Sequence, residues 1–349
     1  LLQCAIGALA PLLLLSLTGL TFGLGTGRLA AWLAILDPLA VLVTGRLAPE
    51  TTFTTLLLLA LLASASWVKT PRRGRALGAG VLWGLAVLTR PSAALLPIIV
   101  VVWAWVPLGL ASVPRERLVQ SALLAVGLLA VLTPWTARNA IVMRAFVPVT
   151  TRGGAALLAG NNPAAWSDPA SRGGPVPADP VPAHLVPGGE PASSARDAGE
   201  ALSFALSHVA SWPAVAIAKL GRFWQPVPRP EDLDVLPPRP AVREIASGLI
   251  GVWCSLLFLA ALGGVARTLR GARRWFQALP LVVILYFSAL AVVFFGDPRL
   301  RLPIQPAIAL FAAAGLEDLR HRLRARTRGL RMVPGRTEDR GAAHPPRGG

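Results

Sequence analysis

The sequence predicts an all-α integral membrane protein, a multi-span helical bundle with one long extracytoplasmic loop. Three observations carry that prediction. Of the 349 residues, 54% are hydrophobic before the 33 glycines are counted, whereas ordinary soluble domains reach about 45–50% with glycine included. Charged residues make up 15% and mean hydropathy is +0.58, too little polar surface to wrap a soluble globule of this size. The apolar residues also gather into runs close to the ~20 residues that a bilayer-crossing helix needs, with the charges clustered between them. A soluble enzyme is excluded.

Nine runs qualify. They are residues 4–22, 29–44, 51–68, 76–89, 92–109 and 119–135 before the long loop, then 246–266, 276–295 and 303–316 after it. The fourth and fifth come from one apolar stretch that is too long for a single span. It is broken at Arg90-Pro91, because the residue before proline is pushed out of the helical region, so a hairpin of two short helices is predicted. Cys4 and Cys254 sit inside apolar runs far apart in sequence, which supports neither a disulfide framework, a zinc site nor a redox pair.

The net charge of +17 is informative only through its distribution. Arg28, the Lys69 to Arg75 cluster, Arg115 to Arg117, Arg267 to Arg274 and the arginines from Arg320 onward alternate with near-neutral loops. Basic short loops stay in the cytoplasm, which places the tail inside and Leu1 outside. A chain that opens at Leu1 on the outer side, without Met or a basic flank, reads as a fragment missing a first span and its loop. For the same reason residues 1–22 do not read as a signal peptide.

The expected organisation is therefore membrane helices over 1–135, an extracytoplasmic segment over 136–245, further membrane helices over 246–319, and a basic, disordered cytoplasmic tail over 320–349. The outer segment opens with turn and strand character and turns Pro/Gly/Ala/Ser-rich up to about Asp197, the composition of a flexible loop. Residues 201–224 then have the spacing of an amphipathic helix, interrupted near Pro213, lying in the outer interface. The tail has no aromatic residues interleaved with its arginines, so contact with anionic lipid is expected and nucleic-acid binding is not. No phosphate-binding Gly-rich loop, metal-binding motif or nucleophile elbow is found, and neither a cofactor nor a metal is expected.

Ionisable residues at membrane depth are costly, which makes them functional candidates. Asp37, Glu50, Arg90, Arg299 and Arg301 all fall toward the outer face, with Arg138 just beyond the sixth span. For Asp37 and Glu50 the simpler expectation is an arginine partner or a helix-end residue. Several arginines in one leaflet favour an anion site, because the guanidinium presents a rigid fork of donors suited to phosphate. An amphipathic, lipid-linked phosphate is the ligand that would present itself at that depth.

Four stretches taken in order carry a family resemblance: Gly84-Leu85-Ala86-Val87-Leu88-Thr89-Arg90-Pro91; Thr133-Pro134-Trp135-Thr136-Ala137-Arg138-Asn139; Phe146 to Gly154 followed by Gly160-Asn161-Asn162-Pro163; and Arg299-Leu300-Arg301-Leu302-Pro303-Ile304-Gln305-Pro306. They resemble bacterial glycosyltransferase family 39, membrane transferases of the GT-C fold that move a sugar from a polyprenyl-phosphate donor to an acceptor on the outer face. The resemblance implies donor-phosphate roles for Arg90, Arg138, Arg299 and Arg301. It leaves Asp37, Glu50, Asn139, Asn161 and Asn162 as supporting or acceptor-side residues. It also implies a catalytic carboxylate in the first outer loop, upstream of Leu1, so no catalytic base is assigned within this chain. Leu300 stands where relatives often carry an aromatic residue, so no stacking role follows there. The implied partners are a polyprenyl-phosphate sugar, a lipid, glycan or protein acceptor, and the inner (plasma) membrane itself. A transporter or flippase of lipid-linked intermediates is the alternative from another class, although such proteins often carry paired repeats and none is found. A ligase or polymerase of surface glycans would differ mainly in its acceptor.

Overall fold

The computed structural model describes residues 1–46, 48–108, 113–177, 186–271 and 274–331, and no strand occurs among them. In hydrocarbon a backbone N–H or C=O finds no solvent partner, so an apolar run satisfies its own groups by becoming a helix. Each of the nine predicted runs is helical over most of its described residues. The first part of the chain contains α1 (Leu2–Thr21), α2 (Leu24–Ile35), α3 (Pro38–Thr44), α4 (Pro49–Lys69), α5 (Arg73–Thr89), α6 (Leu96–Trp105) and α7 (Arg115–Met143). The outer segment holds α8 (Gly153–Gly160), α9 (Pro163–Ser167), α10 (Gly189–Ser207) and α11 (Trp212–Phe223). The bundle closes with α12 (Pro240–Arg270), α13 (Arg274–Gln277), α14 (Leu279–Val293), α15 (Pro298–Arg301) and α16 (Gln305–Arg331).

Among the described residues, α1, α4, α7, α12 and the segment Pro298–Ala325 are each long and apolar enough to cross a membrane, and the number is up to seven if each of the bent pairs α2–α3 and α10–α11 is one span. The chain is a multi-pass membrane protein. Its other three apolar runs, in α5, α6 and α14, form shorter helices. α4 and α16 lie at the centre, mostly buried, whereas α1, α7 and α12 are peripheral. On α12 the residues Leu249, Val252, Leu256 and Leu259 form an exposed stripe, the face a helix turns toward lipid.

Four sequence expectations are corrected at the level of elements. Residues 29–44 are not one helix: Asp37 caps α3 by accepting from the Leu39 and Ala40 amides, Pro38 stands at its first position, and the pair bends by 58°. Second, α7 does not stop at residue 135 but runs through Pro134 to Met143, so Arg138 and Asn139 stand on a helix rather than in a loop. Third, the expected turn, strand and flexible loop from 136 to 197 holds α8, α9 and the start of α10 among its described residues; the part of the expected loop over 178–185 lies outside the described residues. Finally, the tail is helical as far as Arg331. The remainder, 332–349, and with it the rest of the expected disordered tail, lies outside the described residues.

Helix direction sorts the charges. α4 runs from Glu50 to Lys69, α5 returns from Arg73 toward Arg90, and α5 and α7 begin side by side, joined by an Arg73–Glu116 ion pair of 2.9 Å. Thr26 donates to Glu317, and Arg267 donates to the Ala314 carbonyl at 3.0 Å. The basic clusters therefore share one end of the bundle. The starts of α3, α4 and α15 and the end of α5 share the other.

Candidate functional site

At that second end Glu50 sits in the first turn of α4, nearly fully buried. Its Oε1 accepts from Arg299 Nε at 2.6 Å and lies 3.9 Å from Arg90 Nη2. The two arginines arrive for local reasons. Arg90 caps α5 in extended backbone ahead of Pro91, the conformation imposed by a following proline. Arg299 is in the first turn of α15, which Asp297 caps by accepting the Arg299 amide at 2.9 Å. Arg90 also lies over the Phe53 ring, 5.8 Å from its centroid.

One carboxylate between two guanidinia leaves one positive charge over. Arg90 Nη1 and Glu50 Oε2 are both buried and without a hydrogen-bond partner, and a buried donor left unpaired is costly. Glu50, with Asp37 and Gln305, also lines a cavity of about 640 Å³ whose other walls are mostly aliphatic, among them Leu12, Ile35 and Val41. The cavity thus meets the cluster through Glu50, with Arg90 and Arg299 behind that carboxylate and outside the cavity wall.

The remaining predicted residues are not all brought to this place. Arg301 is buried and donates from Nη1 to the carbonyls of Phe223 at 2.6 Å and Gln225 at 2.9 Å, with its guanidinium over the Phe258 ring. It clasps the end of α11 to the bundle; like Arg90 and Arg299 it is not itself part of the cavity wall, and its Nε and Nη2 are buried without a hydrogen-bond partner. Asp37 is a helix cap and Glu50 an arginine partner, the simpler of the expectations for each. Arg138 stands apart, over the Trp135 ring and donating to Asn139 Oδ1 at 3.1 Å, while Asn139 donates to the Val147 carbonyl at 3.1 Å. Trp135, Arg138 and Asn139 line a second pocket of about 520 Å³, closed on the far side by α10.

Asn161 and Asn162 are spent on structure. Asn162 caps α9 through the Ala165 amide and donates to Leu158 and Val176 carbonyls. Asn161 donates to the Val293 carbonyl at 3.0 Å and accepts from Lys219 Nζ at 2.9 Å, while Lys219 also donates to Val292 at 3.1 Å. α10 carries Glu190, Arg196, Asp197 and Glu200 and meets α11 at an 80° bend, so we read both as lying outside the spans. In that setting burial brings the Lys219 ammonium down to about 8, because desolvation disfavours the charged form.

Lys219, Arg229, Asp232 and Asp297 were not singled out from the sequence. Arg229 pairs with Asp297 at 2.9 Å, and Asp232 lies 3.7 Å from Arg46. Each of these charges looks like an ordinary solvated residue in its own segment, and only the contact between distant segments distinguishes it.

Comparison with known proteins bears on the first part of the chain. Residues 1–137 match the model of a family described as dolichyl-phosphate-mannose-protein mannosyltransferase. That span holds Asp37, Glu50 and Arg90 and ends before Arg138. No curated protein matches the chain significantly.

Proposed function

We propose, from the premise that residues 1–137 are those of a GT-C-type membrane glycosyltransferase using a lipid-linked sugar donor, that the chain transfers the sugar of a polyprenyl phosphate to an acceptor on the extracytoplasmic face of the inner (plasma) membrane. The donor phosphate binds at Arg90 and Arg299. The observation that carries this reading is the gathering of two guanidinia, Arg299 and Arg90 with its buried unpaired Nη1, on Glu50, which itself lines a mostly aliphatic cavity; the arginines suit an anionic head and the cavity an isoprenoid chain.

The chemistry follows from charge. As the glycosidic bond to phosphate breaks, the leaving group gains negative charge, and guanidinia already held in place stabilise it without reorganising. Glu50 is a positioning residue: its contacts with both arginines keep their forks near one point. Arg301, committed to the Phe223 and Gln225 carbonyls, has a structural role in this reading.

The test is binding of farnesyl phosphate, a short polyprenyl phosphate, with farnesol as the phosphate-free control. Arg90→Ala is expected to weaken farnesyl phosphate by roughly 10–100-fold, the loss of a hydrogen bond to a charged group, and to leave farnesol unaffected. Equal affinity for farnesyl phosphate in wild type and variant would remove the phosphate from this position.

A second reading, movement of an intact lipid-linked intermediate, is favoured by the break between α2 and α3 at Asp37, since discontinuous helices mark many transporter sites. Release of free polyprenyl phosphate from a sugar-loaded donor belongs to the transferase; appearance of the intact lipid in the opposite leaflet belongs to the transporter.

A further inference from the structure

The second pocket uses neither Glu50 nor Arg90, and its composition differs in kind from the first. Two helices each present a polar stripe to it. From α10 come Glu190, Ser193 and Asp197, spaced by three and four residues so that they share one face; from α7 come Trp135 and Arg138 at the same spacing, with Asn139 beside them. Arg152 adds a fourth charge, so the lining holds two guanidinia and two carboxylates. It is neutral overall, unlike the Glu50 cluster.

Its polar groups are not used up internally. Glu190 accepts from the Thr151 hydroxyl at 2.9 Å, and Arg138 is tied to Asn139. Asp197, by contrast, is only 5% exposed, lines the pocket, and has no hydrogen-bond or ion-pair partner among the described residues. Its carboxylate oxygens are not among the buried unsatisfied atoms and so open onto the pocket, free to accept from whatever fills it. The Ser193 hydroxyl likewise makes no hydrogen bond among the described residues, and Trp135 keeps 42% of its surface exposed. The volume falls within the roughly 300–1,000 Å³ typical of small-molecule sites.

We propose that this pocket binds a neutral, polyhydroxylated ligand, a saccharide unit of a glycan, with the Asp197 carboxylate accepting hydrogen bonds from its hydroxyls and Trp135 supplying an apolar edge. Cations and anions fit it poorly. An amine would meet Arg138 and Arg152, and a phosphate would meet Asp197 and Glu190. The proposal rests on the transferase reading only in making that glycan the acceptor, since sugar binding itself does not require transfer.

Saturation-transfer NMR on the full chain in lipid nanodiscs tests it, with maltose and methyl mannoside as neutral probes, glucosamine as a cation and glucose 6-phosphate as an anion. At least one neutral probe is expected to receive saturation, and Asp197→Ala is expected to weaken it about tenfold or more while farnesyl phosphate binding is retained. If Asp197→Ala does not fold, Ser193→Trp, which fills the pocket from a partly buried position, is expected to abolish the same signal. No transfer to either neutral probe, transfer only to glucosamine or only to glucose 6-phosphate, or full signals in the variants would overturn the proposal. Because farnesyl phosphate is read separately, failure here leaves the Arg90 site standing, and failure at Arg90 leaves this pocket standing.

Discussion

Glu50 illustrates why a charge survives in an apolar helix. Removing it from water costs several kcal/mol, and the cost is offset only if strong partners come with it; Arg299 at 2.6 Å and Arg90 at 3.9 Å are those partners. Lys219 is the contrasting case, a buried cation held, among the described residues, by an amide oxygen and a carbonyl. With Lys219 at about 8 in the fold against 10.5 for an ordinary lysine, the unfolded chain binds more protons between those values. Stability therefore rises with pH across that window and, as far as this residue is concerned, is flat below it. Thermal unfolding followed from about pH 7 to about pH 10 should show the rise, and Lys219→Met should remove it; an unchanged slope in the variant would assign it elsewhere. Arg90 was legible in the sequence because it interrupts an apolar stretch ahead of a proline. Lys219 was not, because on an amphipathic helix a lysine reads as a residue of the wet face.

Between elements, packing in the bundle depends on small residues more than on hydrophobic force, since lipid is as apolar as a leucine side chain. A Cβ at Gly80 on α5 would collide with the Leu124 carbonyl of α7, and one at Gly127 would meet the Leu77 carbonyl. Gly264 and Gly315 play the same part between α12 and α16. Gly78, two residues from Gly80 on the same helix, has open space around its Cβ position. Gly80→Val should therefore lower stability by about 1–3 kcal/mol or more through overpacking, whereas Gly78→Ala should be neutral or raise it by roughly 0.5–1 kcal/mol, the helix preference for alanine. Melting of the two detergent-purified variants compares them directly, and similar losses in both would mean that the α5–α7 contact is not set by glycine. The existence of these helices was legible from hydropathy; their ends were not. α7 continues for eight residues beyond the apolar run that ended at 135, because polar side chains such as Arg138 and Asn139 do not stop a helix that has somewhere to pack.

For the whole molecule, the basic end should face the cytoplasm and the end carrying Glu50 and both pockets should face outward. With the exposed Cys4 replaced by serine, a cysteine introduced at the exposed Ala195 should react with a membrane-impermeant thiol reagent in intact cells, and one at the exposed Arg72 only after lysis. The reverse pattern would invert the molecule and place the donor site on the cytoplasmic side. The membrane class, the helical character of the apolar runs, the break at Arg90-Pro91 and the segregation of charge were all determined by the sequence alone, because hydropathy and loop charge are sums over neighbouring residues. What only the tertiary structure decided is how the charged residues are shared out. It pairs Glu50 with Arg299 across 249 positions, commits Arg301 to backbone carbonyls, and sends Arg138 to a second pocket with Asp197. An ion pair depends on distances across the bundle, and those arise only when the helices pack.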